Sequence, residues 1–232
     1  MTIKYSGNNA INDWNLGDIN ITKAYYNGSV CYEKMESGST PPTPSRLPSG
    51  YTEVEYIQNT GSSYINTNLQ ICSATTNTFQ VEAKLIPSRI GTQSYQNMFS
   101  CMSEDGEPYQ GFAYRYQGSS ISPKFIPSND GSFEQVANSD GTTSVTASST
   151  NGLTYSHTYP LTICCGLDSS RNPFRFTSTK VYVFKVTINN SVVGDFVPAK
   201  RDSDSKYGLY DLVTNTFYLS PNGNEFSGGS PI

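Results

Sequence analysis

The residues able to do chemistry are few, and their spacing suits little of it. His157 is the single histidine, so a Ser-His-Asp site would have to use it. Ser156 is its neighbour, but adjacent residues on a strand point to opposite faces, which puts that hydroxyl out of position as a nucleophile. The five cysteines are Cys31, Cys72, Cys101, Cys164 and Cys165. They form no C-x-x-C pair, and with one histidine they offer none of the ligand spacings of a zinc site. Glycoside cleavage needs two acids facing each other across the bond. Glu104, Asp105 and Glu107 are bunched in "SEDGEPY", a turn rather than a strand, and Glu53 and Glu55 merely share a strand face. Asp202 and Asp204 in "RDSDSK", like Asp105 and Glu107, could offer hard oxygen ligands to calcium, but read as solvated charged loops. No catalytic residue, metal or cofactor is therefore expected. A sugar site needs exposed aromatics with amide and acid partners. Tyr95, Tyr109 and Tyr116, with Asn129 and Asp130, are the candidate ligand-binding residues.

Composition narrows the setting. Charged residues make up 15% of the 232-residue chain, against roughly 25% in an average soluble domain. Polarity comes instead from Ser, Thr, Asn, Gly and Tyr, a surface common in proteins that work outside cells or on particles. The net charge of −4 gives no footprint for nucleic acid, which needs clustered Lys and Arg. No run approaches the roughly 18 apolar residues of a membrane span. The start, "MTIKYSGNNAINDW", lacks the apolar core of a secretory signal, so folding in the cytoplasm is expected. An odd number of cysteines in that compartment predicts reduced thiols, packed as small hydrophobes on strands.

The elements that must position these residues are strands. "TFQVEAKLI" places Phe79, Val81, Ala83 and Leu85 on one face, and "GFAYRYQ" places Phe112, Tyr114 and Tyr116 together. "KVYVFKVTI" sorts Val181, Val183, Lys185 and Thr187 to one face and Tyr182, Phe184, Val186 and Ile188 to the other. Period two means half-buried strands. Turn signals at Asp130-Gly131, Asp140-Gly141 and Asn151-Gly152 suit an antiparallel sandwich, and no window carries a capped helical period. The proline-rich "SGSTPPTPSRLPSG" cannot form a helix or a central strand. It divides an N-terminal module (1–36) and linker (37–46) from a large domain (47–232). In the module, Asn27-Gly28 between two β-prone runs reads as a hairpin with a type I′ turn. A lone hairpin is marginal in water, so another chain is expected to complete it. Trp14, Tyr25, Tyr26, Val30 and Tyr32 are the candidate docking residues.

Two stretches go beyond pattern. "LPSGYTEVEYIQNTGSSYINTNL" and "VVGDFVPAKR…GLYD…NTFYLSPNG" resemble the two ends of concanavalin A-like, LamG-type jelly-roll domains. The resemblance spans about 180 residues, and the hairpin is similar to a short module found beside such domains. It implies an all-β antiparallel jelly roll of the kind found in virion fibre, tail and head-decoration proteins of phages, and in surface proteins of gut bacteria. The E-x-D-x-x-E form of jelly-roll glucanases is absent. On this footing the expected function is a non-enzymatic phage virion accessory protein, assembled in the host cytoplasm. Its expected partners are other virion proteins, bound through the N-terminal module, and host or mucosal glycans. A homo-oligomer is compatible with this; nucleic acid and membrane are not expected partners. The alternatives are a bacterial cell-surface lectin-like protein and, behind it, a polysaccharide-cleaving enzyme.

Overall fold

A computed structural model describes residues 15–16, 19–20, 23–26, 29–33, 46–73, 75–102, 110–128, 130–150, 154 and 156–232. The chain divides into two compact units, Met1–Ser45 and Arg46–Ile232. In the first, β1 (Asn15–Leu16) pairs antiparallel with β2 (Ile19–Asn20), and β3 (Lys23–Tyr26) with β4 (Ser29–Glu33). In the second pair Tyr26 lies opposite Ser29. The Asn27-Gly28 turn expected from the sequence, Trp14, and the side chains of Tyr25, Tyr26, Val30 and Tyr32 lie outside the described residues.

The second unit is built from strands, with no helix among its described residues. They are β5 (Tyr51–Glu53), β6 (Ile57–Asn59), β7 (Ile65–Asn66), β8 (Phe79–Ile86), β9 (Tyr95–Met102), β10 (Gly111–Gln117), β11 (Ser120–Ile121), β12 (Lys124–Ile126) and β13 (Ser132–Ala137). Then follow β14 (Thr143–Ser149), β15 (Thr162–Ile163), β16 (Gly166–Leu167), β17 (Pro173–Phe174), β18 (Lys180–Ile188), β19 (Ser191–Arg201), β20 (Tyr207–Asp211), β21 (Thr216–Tyr218) and β22 (Phe226–Gly228). One sheet runs β11-β10-β9-β15-β7, with β12 also on β10. The larger runs β13-β14-β8-β18-β6-β22-β20-β19-β5, with β21 on β20; β16 and β17 form a separate pair.

Alternation explains β8: Phe79, Val81, Ala83 and Leu85 are buried, and the residues between them half-buried. It fails on β18, where the pairing with β8 shifts between Val181 and Val183. The bulge turns Val181 into the core with Phe184 and Val186 and leaves Val183 exposed, so the faces expected from simple alternation do not hold. On β10 both faces are covered. Phe112 and Tyr114 enter the core, while Arg115 on the other face is also buried.

Both large sheets feed one hydrophobic cluster. Phe99 of β9 stands at its centre. It stacks on Tyr114 at 5.4 Å and meets Phe184 of the other sheet edge-on at 5.4 Å. Phe79 stacks on Phe112 at 5.0 Å, a second bridge between the sheets.

Polar groups close the remaining gaps. Buried Asp211 accepts hydrogen bonds from the Asp195 and Val213 amides and from Thr214 Oγ1, at 2.7–3.0 Å. Gly208 is required because a Cβ there would stand 2.2 Å from the Tyr218 carbonyl oxygen. The edge of β18 away from β8 is shared: Lys180–Val181 pair with β6, and Phe184–Ile188 with β19. Since β6 and β19 are joined through β22 and β20, the hydrogen-bonded path returns to β18. The two ends of the unit meet beside it. Glu55 N donates to Ser230 O at 3.0 Å, Ile232 N to Glu53 O at 3.2 Å, and Val54 bridges Pro231. The buried Glu53 carboxylate is bound through Arg46 Nε at 3.1 Å and also by its Nη2.

Two outcomes follow. Phe99→Ala should lower the stability of the second unit by about 3–5 kcal/mol in urea denaturation, because it removes a ring that the core cannot collapse around. A chain beginning at Arg46 should unfold cooperatively. One beginning at Leu47 should melt at a lower temperature in calorimetry, because Glu53 then stays buried without its cation.

Candidate functional site

The candidate ligand-binding residues do not converge. In the β9–β10 register Tyr95 lies opposite Gln117, and Tyr116 opposite Gln96. This puts the two tyrosines on opposite faces of the strand pair. Tyr116 packs against the core cluster, and burial raises its phenol pKa. Tyr95 stands on the other face, diagonal to Arg115. The Arg115 guanidinium lies over its ring at 4.8 Å, and that of Arg175 at 4.9 Å. Arg175 is held there by its carbonyl, which accepts from Asn97 N at 2.7 Å. These two arginines were not singled out in the sequence; only the register, which sets Arg115 one diagonal from Tyr95, reveals them.

Asp130 is buried and committed to Thr154, accepting from its amide and hydroxyl at 2.8 Å. Tyr109 and Asn129 lie outside the described residues, as do Glu104, Asp105 and Glu107. The acids of the 202–204 loop have partners within the chain. Asp202 accepts from Thr52 Oγ1 at 2.8 Å, and Asp204 pairs with Arg201 at 2.6 Å. Glu53 is held by Arg46, and Glu55 accepts from Ser230 N at 3.4 Å. A shallow recess of about 100 Å³, lined in part by Tyr207, Ser220 and Asn224, lies beside β20. It is small against the roughly 300–1,000 Å³ of ordinary ligand sites.

Among the described residues, several reactive side chains meet inside the protein. Cys72 lies in the turn after β7, Cys101 on β9, and His157 in the extended segment before β15. All three are buried, and one ligand atom from each lies within 4.8 Å of the others. The sulfurs of Cys72 and Cys101 are 3.6 Å apart. Cys101 Sγ also lies 3.4 Å from Tyr159 O, and the His157 ring meets the Tyr159 ring edge-on at 5.5 Å. His157 Nδ1 accepts from Tyr159 N at 3.2 Å. The sequence reading expects no metal site because the cysteines are scattered, and for these two the fold overturns that premise. β9 and the 156–161 segment run together, so distant residues become neighbours. Cys72, Cys101, Cys164 and Cys165 are free thiols. Cys101 is on a strand as expected, whereas Cys164 and Cys165 occupy the turn between β15 and β16.

Burial drives the His157 pKa down to about 4; the positive charge of Arg171 adds to this, and a hydrogen bond to the Gln110 backbone opposes it. The ring is therefore neutral near pH 7. Ser156 is exposed while His157 is buried, so the two do not form a nucleophile–base pair. Burial pushes the Cys164 thiol up to about 12, which keeps it protonated and inert.

Compared with known proteins, the chain matches no family model, no curated protein and no solved structure.

The buried imidazole has a measurable consequence. An unfolded histidine takes up its proton near pH 6.5, but the folded ring does so only near pH 4. Across that window the unfolded chain binds more protons, so stability falls as pH is lowered through it. The loss should be on the order of 2–3 kcal/mol, complete near the folded pKa. The low pKa of Asp204, about 2 against an ordinary 3.8, acts only below this window. Urea unfolding of reduced, chelator-treated protein between pH 7 and 4 should show the slope, and His157→Gln should flatten it.

Proposed function

We propose that the chain is a non-enzymatic bacteriophage virion accessory protein, of the head or the tail. Its N-terminal unit docks on the particle, and a concanavalin A-like jelly-roll domain is displayed outward. The observation that carries this reading is the division at Ser45/Arg46. On one side lies a unit whose described strands are two short antiparallel pairs. On the other lies a unit with a large shared core. Short hairpins gain stability when another chain buries their apolar face and pairs their edge. The two antiparallel sheets around one core, and the motifs at both ends of the large unit, support the jelly roll.

The state of the acids supports a role without catalysis. Glu53, Asp130, Asp202 and Asp204 each have a partner within the chain, and His157 is buried among sulfurs rather than beside a nucleophilic hydroxyl. In the display role the surface of the large unit meets host or mucosal glycans.

The docking half of the proposal is tested by fusing residues 1–46 to a fluorescent protein in a cell that makes the candidate particle. Purified particles should carry the fluorophore, and residues 46–232 alone should stay in the soluble fraction. Co-purification of residues 46–232 instead would reverse the two roles. Absence of the full chain from particles, by mass spectrometry, would end the virion reading. Release of oligosaccharide from mucin or capsule by the purified protein would end the non-enzymatic one.

A further inference from the structure

The thiol–imidazole cluster takes no part in docking or display, yet its composition is that of a metal centre. Three buried ligands arrive from three separate stretches of chain, with their donor atoms within 4.8 Å of one another. Two zinc-bound sulfurs at Zn–S distances of about 2.3 Å stand roughly 3.8 Å apart across a tetrahedral edge. The Cys72 and Cys101 sulfurs stand at 3.6 Å, whereas a disulfide would bring them to about 2.05 Å. Two thiols in plain contact have the same spacing, so the third group decides. The buried His157 ring places a ligand atom within 4.8 Å of both sulfurs, and two thiols with an imidazole are a donor set suited to a borderline-soft ion. His157 Nδ1 accepts from Tyr159 N at 3.2 Å, a hydrogen bond that an ion on this ring would displace.

We propose that Cys72, Cys101 and His157 together bind one zinc(II) ion. The charges balance inside the core: two thiolates cancel the dication, and the imidazole is neutral. Binding forms two Zn–S bonds and one Zn–N bond, gives up the Tyr159 N–H···Nδ1 hydrogen bond and releases the two thiol protons to solvent, with no change of oxidation state. The fourth position falls to water or a main-chain oxygen; the Cys101 and Tyr159 carbonyls already lie 3.7 and 3.4 Å from the sulfurs of Cys72 and Cys101 respectively. Zinc, a borderline-soft ion, suits two thiolates and an imidazole, whereas calcium and magnesium prefer oxygen. The ion would tie the turn after β7, the strand β9 and the segment before β15 into one cross-link, a structural role in the sense that binding adds to folding stability.

The test uses the full chain carrying Cys31→Ser, reduced, stripped of metal and kept free of oxygen. Titration with cobalt(II) should saturate at one ion per chain. It should give thiolate-to-cobalt charge transfer and the intense visible bands of a tetrahedral ion, and zinc should abolish both. Zinc should release two protons per ion and raise the melting temperature. Cys72→Ser and His157→Gln should each weaken cobalt binding at least tenfold. X-ray absorption of the zinc-loaded protein, which needs no variant, should show two sulfurs at about 2.3 Å and a nitrogen at about 2.0 Å. A zinc shell without sulfur, a cobalt spectrum of octahedral type only, or undiminished binding by folded Cys72→Ser would overturn the site. So would a Cys72–Cys101 disulfide that forms in preference to zinc binding under mild reduction.

Discussion

The contact of Phe99 with Phe184 is the constraint that the rest of the large unit obeys. Phe99 belongs to the smaller sheet and Phe184 to the larger, and their rings meet edge-on at 5.4 Å. Aromatic pairs hold a narrow range of separations, so this contact fixes the distance between the sheets. Phe112, Tyr114 and Phe133 surround the same ring, which leaves Phe99 little freedom to tilt. Cys72 and Cys101 belong to the same hydrophobic cluster. The packing of the sheets places Cys101, and the turn after β7 brings Cys72 to His157, whose amide donates to the Cys72 carbonyl at 2.7 Å.

The low charge of the chain has a structural counterpart in its loops. Asn59 Oδ1 accepts from Gly61 N, Ser63 N and Ser63 Oγ. Asn189 Oδ1 accepts from the amides of Asn77 and Thr78, and its Nδ2 donates to Thr75 O. Asn222 Nδ2 reaches Ser62 O at 2.7 Å across the chain. Amides and hydroxyls here satisfy main-chain groups that the sheets leave open. Such bonds do not depend on ionisation and are little screened by salt, unlike the exposed pair of Lys84 with Asp140. A surface built this way keeps its loops in place across a wide range of ionic conditions.

Local periodicity was enough to read β8, because that strand depends on its own residues, and the Asn27-Gly28 pair between β-prone runs was enough to expect the antiparallel pairing of β3 with β4. Periodicity misread β18, since a bulge is set by how the strand meets β8, and "KVYVFKVTI" carries no local mark of it. The failures are long-range. Tyr95 and Tyr116 looked equivalent until the β9–β10 register put them on opposite faces. Cys72, Cys101 and His157 looked scattered because no short spacing joins residues that three separate stretches bring together. A single sequence holds such a cluster only as residue types, and its geometry is a property of the sheet pairing.

The clasp between residues 53–55 and 230–232 determines how the large unit answers a pull. Its two chain ends lie side by side, joined by bonds such as Glu55 N to Ser230 O and Ile232 N to Glu53 O. Tension applied between those ends is taken by this small seam together with the pairing of β5 with β19, ahead of Phe99 and its neighbours. Beyond the seam the next strands along the chain are β6 and β22, which are paired with each other. Loading the two ends would therefore part bonds in sequence from the rim, as a zipper opens, and the core would stay shut until β6 and β22 had separated. Tension entering at one end and leaving through the outer face would instead be spread over the full width of the sheets. The same fold is a weak link in series and a firm anchor when held from one side.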